Sequence, residues 1–217
     1  MPLLLDYRYV GCDGAWTTWN VPVADVQAAL PSGHTAQDDA GQGIVTYAWM
    51  ACDALETRTA VVNDTVLGWV TAAVEGPEPT EYLLRMLVQD DLLKRLWEAA
   101  GYPVVVGEHD QTPPPVGPVG PAWPGLWNVQ QGQYAIDAAT LTDATADALS
   151  WRMLHETVQG ETEWTGTVRW GRPIAAPQAT LTLPDDDPFA GSEPEPRRIF
   201  IVQGLEMAGN DLRLTPS

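Results

Sequence analysis

The sequence predicts a mainly β (α+β) fold. It would be one antiparallel β-barrel domain over residues 1–217, closed or nearly closed, with two or three covering helices and a central pocket. Three observations predict it. Nine or ten short segments alternate or run apolar, and turn signals are dispersed between them. Only two or three segments carry helical spacing. Ten tryptophans outnumber the six Tyr and two Phe together, and each brings a large apolar area plus one N–H donor that needs a partner. At 217 residues the chain can bury one large core, and no internal repeat is visible.

The elements follow in order. Leu3 to Val10 alternates as a first strand, and Gly11-Cys12-Asp13-Gly14 is turn chemistry. Val23, Val26 and Leu30 lie at helical spacing, stopped by Pro31-Ser32-Gly33. From Gln42 to Cys52, Ile44, Thr46, Ala48 and Met50 alternate with Val45, Tyr47 and Trp49. Both faces are apolar, which predicts a central or cavity-lining strand. Thr59 to Val74 continues the β pattern, and Asn63-Asp64 is either a hairpin turn or a polar pair inside the strand. Tyr82 to Val88 is a strand, and Asp90-Asp91 opens a helix where carboxylates complement free N–H groups. Leu92, Leu93, Leu96 and Trp97 carry its spacing, Gly101 is its C′ residue, and Val104 to Val106 resumes as strand.

The Pro/Gly-rich run of residues 112–125 reads as a long rigid loop over the surface or mouth of the domain. Leu126 to Ile136 is a strand. Thr142 then caps a helix of about four turns, Asp143 to Thr157, with Ala146, Leu149, Met153 and Leu154 on one side. Glu161 to Trp170 is the clearest strand, setting Trp164, Gly166, Val168 and Trp170 against Glu163, Thr165, Thr167 and Arg169. Ala179 to Leu183 is short and alternating. Residues 184–196 read as an acidic, solvated and mobile loop. Arg197 to Gln203 and Leu212 to Leu214 close the chain as strands.

Asp and Glu total 29 against 11 Lys and Arg, a formal charge of −18. That field repels phosphate backbones and anionic lipid, so neither nucleic acid nor membrane is an expected partner. A small-molecule ligand or substrate is the expected partner, and self-association into a homo-oligomer stays open. Cys12 and Cys52 fit no metal spacing and are expected as buried free thiols. The N-terminus has no basic region ahead of its leucines, so it is not expected to be a signal peptide. A cytoplasmic location with reduced thiols is the expectation.

Four stretches carry a resemblance. They are the segment from Val21-Pro22 to Ala29-Leu30-Pro31, then VVNDTVLGWVTAAVEG, LLRMLVQDD and LWEAAGYP. Their order resembles the acetoacetate decarboxylase-like superfamily over residues 16–110. In that family a Tyr-Asn-Glu segment opens a long strand, and a Gly-Phe-Pro-Lys-Lys segment carries the Schiff-base lysine. The resemblance implies that Asn63-Asp64 lies near the Asn-Glu and that Gly101-Tyr102-Pro103 replaces the Gly-Phe-Pro. The two lysine positions are then Val104 and Val105, so imine-based decarboxylation is excluded and the barrel with its pocket remains.

Candidate chemistry rests on few residues. Glu108 and His109 follow a strand and either supply acid/base chemistry or form a hydrated rim. Asp64, if inward, would carry a raised pKa and shuttle protons; as a turn residue it would not. Arg85, if inward, would suit a carboxylate or enolate. His155 ends the predicted helix and complements its dipole. The expected substrate-binding walls are Tyr47, Trp49, Trp69, Trp97 and Tyr102, with Tyr47 and Trp49 taken as alternating so that one faces inward. No metal site and no cofactor is expected, since three scattered His form no ligand set and no phosphate loop follows a strand. The implied function is a lysine-independent lyase, isomerase or cyclase acting on a small apolar or polyketide-like acid. A non-catalytic binding protein of the same shape and a structural component, for example of a virion, remain alternatives.

Overall fold

The computed structural model describes residues 6–57, 60–76, 78–88, 91–99, 102, 104–106, 126–129, 132–135, 142–145, 147–157, 160–175, 177–183, 185 and 187–214. The elements are β1 (Asp6–Pro22), α1 (Val23–Ala29), β2 (Gln42–Thr57), β3 (Val61–Val74), β4 (Thr80–Val88), α2 (Asp91–Ala99) and β5 (Val104–Val106). They continue with β6 (Leu126–Val129), β7 (Gly132–Ala135), β8 (Thr142–Asp143), β9 (Leu149–Thr157), β10 (Gly160–Arg169), β11 (Arg172–Ala175), β12 (Thr180–Thr182) and β13 (Glu195–Leu214).

Seven strands close the barrel in the order β1-β2-β3-β4-β9-β10-β13, and β13 pairs back onto β1. Period-two alternation decides what goes inside. Cross-strand partners share a face, so Trp16, Ala48 and Trp69 point inward together from β1, β2 and β3. The opposite positions, Val45, Tyr47, Trp49 and Val70, form a second apolar cluster outside the barrel, under α1 and Phe189. The expected barrel is therefore present, with two departures from an all-antiparallel sheet, the first being β5, which adds to β4 in parallel through Met86–Val104 to Val88–Val106. The second is the β4–β9 contact, which is parallel and runs through only two pairs, Glu81 with Met153 and Tyr82 with Leu154.

One line across the sheet explains why several sequence boundaries fail. Gly11, Asp64 and Gly204 adopt positive φ (63°, 54° and 65°) in the interior of β1, β3 and β13. At that line the inward positions jump by three instead of two: Tyr9 to Cys12, Leu55 back to Cys52, Val62 to Thr65, and Val202 to Leu205. Each strand thus bends without ending. Gly11-Cys12-Asp13-Gly14 is consequently strand rather than turn, and β13 is one strand where two were expected. Asp64 is exposed on this bend. It is neither an inward acid nor a hairpin residue, because the β2–β3 turn closes through Thr57 N–H to the Ala60 carbonyl. Asn tolerates the left-handed region as Asp does, whereas β-branched residues do not. Asp64→Asn is expected to leave the urea midpoint unchanged, and Asp64→Val to lose roughly 1–2 kcal/mol.

Three further expectations are corrected. Residues 149–157 form β9, not a helix. Leu149, Trp151, Met153 and His155 also read at period two, and pairing with β10 from Gly160 onward overrides a local helical pattern. His155 is therefore a buried strand residue, not a helix end. Cys12 and Cys52 lie directly opposite in the β1–β2 register and are joined by a disulfide, not left as free thiols. In the acidic loop, Asp187 and Phe189 are buried. The Asp187 carboxylate accepts the Tyr47 hydroxyl at 2.9 Å and the Phe189 N–H at 2.8 Å, which ties part of that loop to the barrel wall. The Pro/Gly-rich run 112–125 lies outside the described residues.

Candidate active site

The barrel interior divides into a filled end and an open mouth. At the filled end, Trp97 reaches in from α2 and meets Tyr7 and Tyr102 edge-on, with ring centroids 5.6 and 5.0 Å apart. Trp164 lies 5.8 Å from Trp97, and Tyr102 stacks on His155 at 4.1 Å. His155 is fully buried, and burial lowers its pKa from 6.5 to about 4. Above this aromatic plug, Trp16 packs edge-on against Trp69 and Trp170, and Trp16 and Trp170 bound the mouth.

The mouth is a cavity of about 640 Å³ walled by Trp16, Ile44, Trp151, Trp170 and Phe200. Its chemistry comes from β2, β3 and β4. Thr46 and Thr71 are cross-strand partners on the inner face, and Ala73 pairs with Glu81 one step further along. This diagonal neighbourhood lets one carboxyl group reach both hydroxyls. Thr46 donates to Oε1 of Glu81 at 2.8 Å, and Thr71 donates to Oε2 at 2.7 Å. Burial pushes the Glu81 carboxyl above its ordinary range, outweighing the two hydroxyl bonds, which favour the ionised form.

The charge of the lining runs against that of the chain. Glu81 is the only acid among the described lining residues, which also include Arg152, Arg197 and Arg198. Three of the ten arginines of a chain with formal charge −18 thus surround one cavity. Arg198 sits over the Phe200 ring at 6.0 Å, a cation–π placement inside the mouth. Arg197 is held by Asp39 at 2.6 Å. Such a mouth offers arginine donors to a small anion beside a carboxyl group whose burial favours its neutral form.

The residues singled out in the sequence distribute unevenly. Trp69, Trp97 and Tyr102 are buried inside the barrel, behind or beneath the mouth. Tyr47 and Trp49 are two residues apart, so they share a face, and that face lies outside the barrel. Arg85 pairs with Val70 of the same outer face. Asp64 is exposed on the bend, and Glu108 and His109 lie outside the described residues. Lys94, the sole lysine, is on α2 beside Glu98 at 3.8 Å, with its side chain 37% exposed.

Sequence reasoning passed over Glu81, the group that organises the mouth. A signal was present: Glu81 and Leu83 are two residues apart at the start of an apolar strand, so they share a face and that face carries a lone acid. The neighbouring threonines were invisible as partners, because they come from strands that precede Glu81 by 10 and 35 residues.

No protein-family model matches the chain, and no curated protein matches it in sequence. Solved structures do resemble it. The enduracididine biosynthesis enzyme MppR complexed with pyruvate is similar at a TM-score of 0.62 and 15% identity, over 97% of this chain and 89% of that one. An acetoacetate decarboxylase-like enzyme from Sphingomonas wittichii RW1 gives 0.57 at 15% identity, over 100% and 95%. Acetoacetate decarboxylase from Legionella pneumophila gives 0.56 at 10% identity, over 96% and 87%. At these identities the likeness establishes the fold, which is that of the acetoacetate decarboxylase-like enzymes.

Proposed function

We propose that this barrel is a lysine-independent enzyme that moves a proton next to the carbonyl of a small carboxylic acid. The observation that carries the reading is the Glu81 carboxyl held between Thr46 and Thr71 in a mouth whose other charged lining is arginine. An arginine, best placed in Arg198, holds the substrate carboxylate. The ionised Glu81 takes a proton from the carbon beside the carbonyl. The C–H electron pair then moves onto the carbonyl oxygen as an enolate, and neutral Glu81 returns a proton. The tryptophan walls exclude water, so the hydrogen bonds that position Glu81 act in a low-dielectric surrounding.

Return of the proton to a different carbon gives an isomerase, and loss of a leaving group from the enolate gives a lyase. Attack of the enolate on a second carbonyl gives a condensation or cyclisation. The pyruvate complex of MppR supports a keto acid as substrate class, on fold likeness alone.

Proton NMR in D2O tests the reading with a panel of 2-keto acids that begins with pyruvate. Enzyme-dependent loss of the C–H signal beside the carbonyl is expected. Binding without exchange across the panel would replace this reading with a non-catalytic binding protein. Imine chemistry is tested separately. With keto acid and borohydride, no covalent mass increase at Lys94 is expected, and Lys94→Arg should retain exchange, because that amine stands outside the mouth beside Glu98.

A further inference from the structure

The mouth does not end at the barrel rim. A second depression of about 810 Å³ crosses the outer face of the sheet, from Arg8 and Glu56 at one end to Glu78 and Arg152 at the other. Its floor is of small residues, Thr165, Gly166, Thr167, Ala208 and Gly209, with Glu163, beside Arg152, as the charged group on the same strand as Thr165. Pro79, Ser150, Trp151 and Arg152 line both this groove and the mouth. The two spaces therefore meet at the β4–β9 seam, the one barrel contact that is parallel and only two pairs long.

The meeting point is built and not merely open. A Cβ on Gly166 would lie 2.6 Å from the Trp151 ring and 2.8 Å from the Ala208 carbonyl. Only glycine at 166 lets the indole settle against β10, where it packs edge-on to Trp164 at 4.7 Å. Arg152 stands at the same junction. Its Nη2 donates to Glu163 at 2.8 Å, while Nη1 reaches Thr80 only at 3.5 Å. Its Nε is buried and has no acceptor among the described residues. Guanidinium donors left over from one carboxylate are suited to receive another.

We propose that the seam is a second anion subsite. The substrate is then an elongated dicarboxylic keto acid, with its reacting end at Glu81, its far carboxylate on Arg152, and any further neutral length in the outer groove. This rests on the Glu81 reading above but adds a selectivity which that reading does not require. Monocarboxylic acids fill the mouth alone, and dicarboxylic ones gain the seam.

Calorimetric titration of the full chain with pyruvate, 2-oxoglutarate and 2-oxoadipate tests it. One of the dicarboxylic acids is expected to bind about tenfold tighter than pyruvate or better, the worth of one charge-assisted contact. Arg152→Met should erase that ratio. Should loss of the Glu163 contact unfold Arg152→Met, Ser150→Trp blocks the seam without touching that ion pair, and it should erase the ratio equally. Equal binding of all three acids by the unaltered protein overturns the subsite while leaving deuterium exchange, and hence the Glu81 reading, standing. A ratio that survives Ser150→Trp also overturns it. Binding of none of the acids removes the subsite together with the keto-acid substrate class.

Discussion

Glu81→Gln is expected to cut proton exchange on a 2-keto acid by about 10²- to 10⁴-fold, the usual worth of a positioned acid/base group. The same substitution should leave the melting temperature unchanged or raise it. Both effects follow from one arrangement. Burial raises the Glu81 pKa above its unfolded value, so the folded state holds this proton more tightly than the unfolded chain does. Its stabilising contribution is fully present below the ordinary carboxyl pKa and is lost as pH rises through the folded value. At neutral pH an amide of the same shape removes that dependence and still meets the Thr46 and Thr71 oxygens. Measuring exchange by NMR and unfolding by calorimetry on one preparation separates the roles. Unchanged exchange would remove Glu81 from the chemistry. A large drop in melting temperature would mean that the carboxyl group is a structural bond and not a poised acid.

Acidification is expected to destabilise the barrel through His155. This imidazole is fully buried against Tyr102, and its pKa is lowered from 6.5 to about 4 because burial penalises the charged ring. The unfolded chain therefore binds the proton first. Stability from this group is complete above pH 6.5 and falls as pH drops toward about 4, by about 3 kcal/mol in all. His155→Phe keeps an aromatic ring on Tyr102 and removes the titration. Urea midpoints at pH 7 and pH 4.5 should diverge in the parent and stay closer together in the variant. Carboxylates titrating elsewhere affect both proteins alike, so the difference between them isolates His155. A difference that is the same at both pH values would sink the assignment.

Sequence by itself determined the barrel. Alternation placed Trp164, Gly166 and Val168 on one face of β10, and the helices at Val23–Ala29 and Asp91–Ala99 follow from local spacing and stop signals. The order of segments also pointed to the acetoacetate decarboxylase-like fold, which solved structures share at 15% identity. The absence of lysine after the Gly-Tyr-Pro segment needed no structure at all.

Tertiary structure alone decided the rest. Residues 149–157 satisfy both a helical and a strand period, and only pairing with β10 breaks the tie. The bend through Gly11, Asp64 and Gly204 imitates turns in the sequence, because residues that permit positive φ serve a kinked strand as well as a reversal. Cys12 and Cys52 are 40 residues apart, and their bond depends on the β1–β2 register that sets them opposite each other. The site is the extreme case. Glu81, Thr46, Thr71, Arg152 and Arg198 come from five strands, and only Glu81 stands out in its own segment. Burial, shared face and the two-pair β4–β9 seam turn them into chemistry, and those are properties of the closed barrel, not of any stretch of chain.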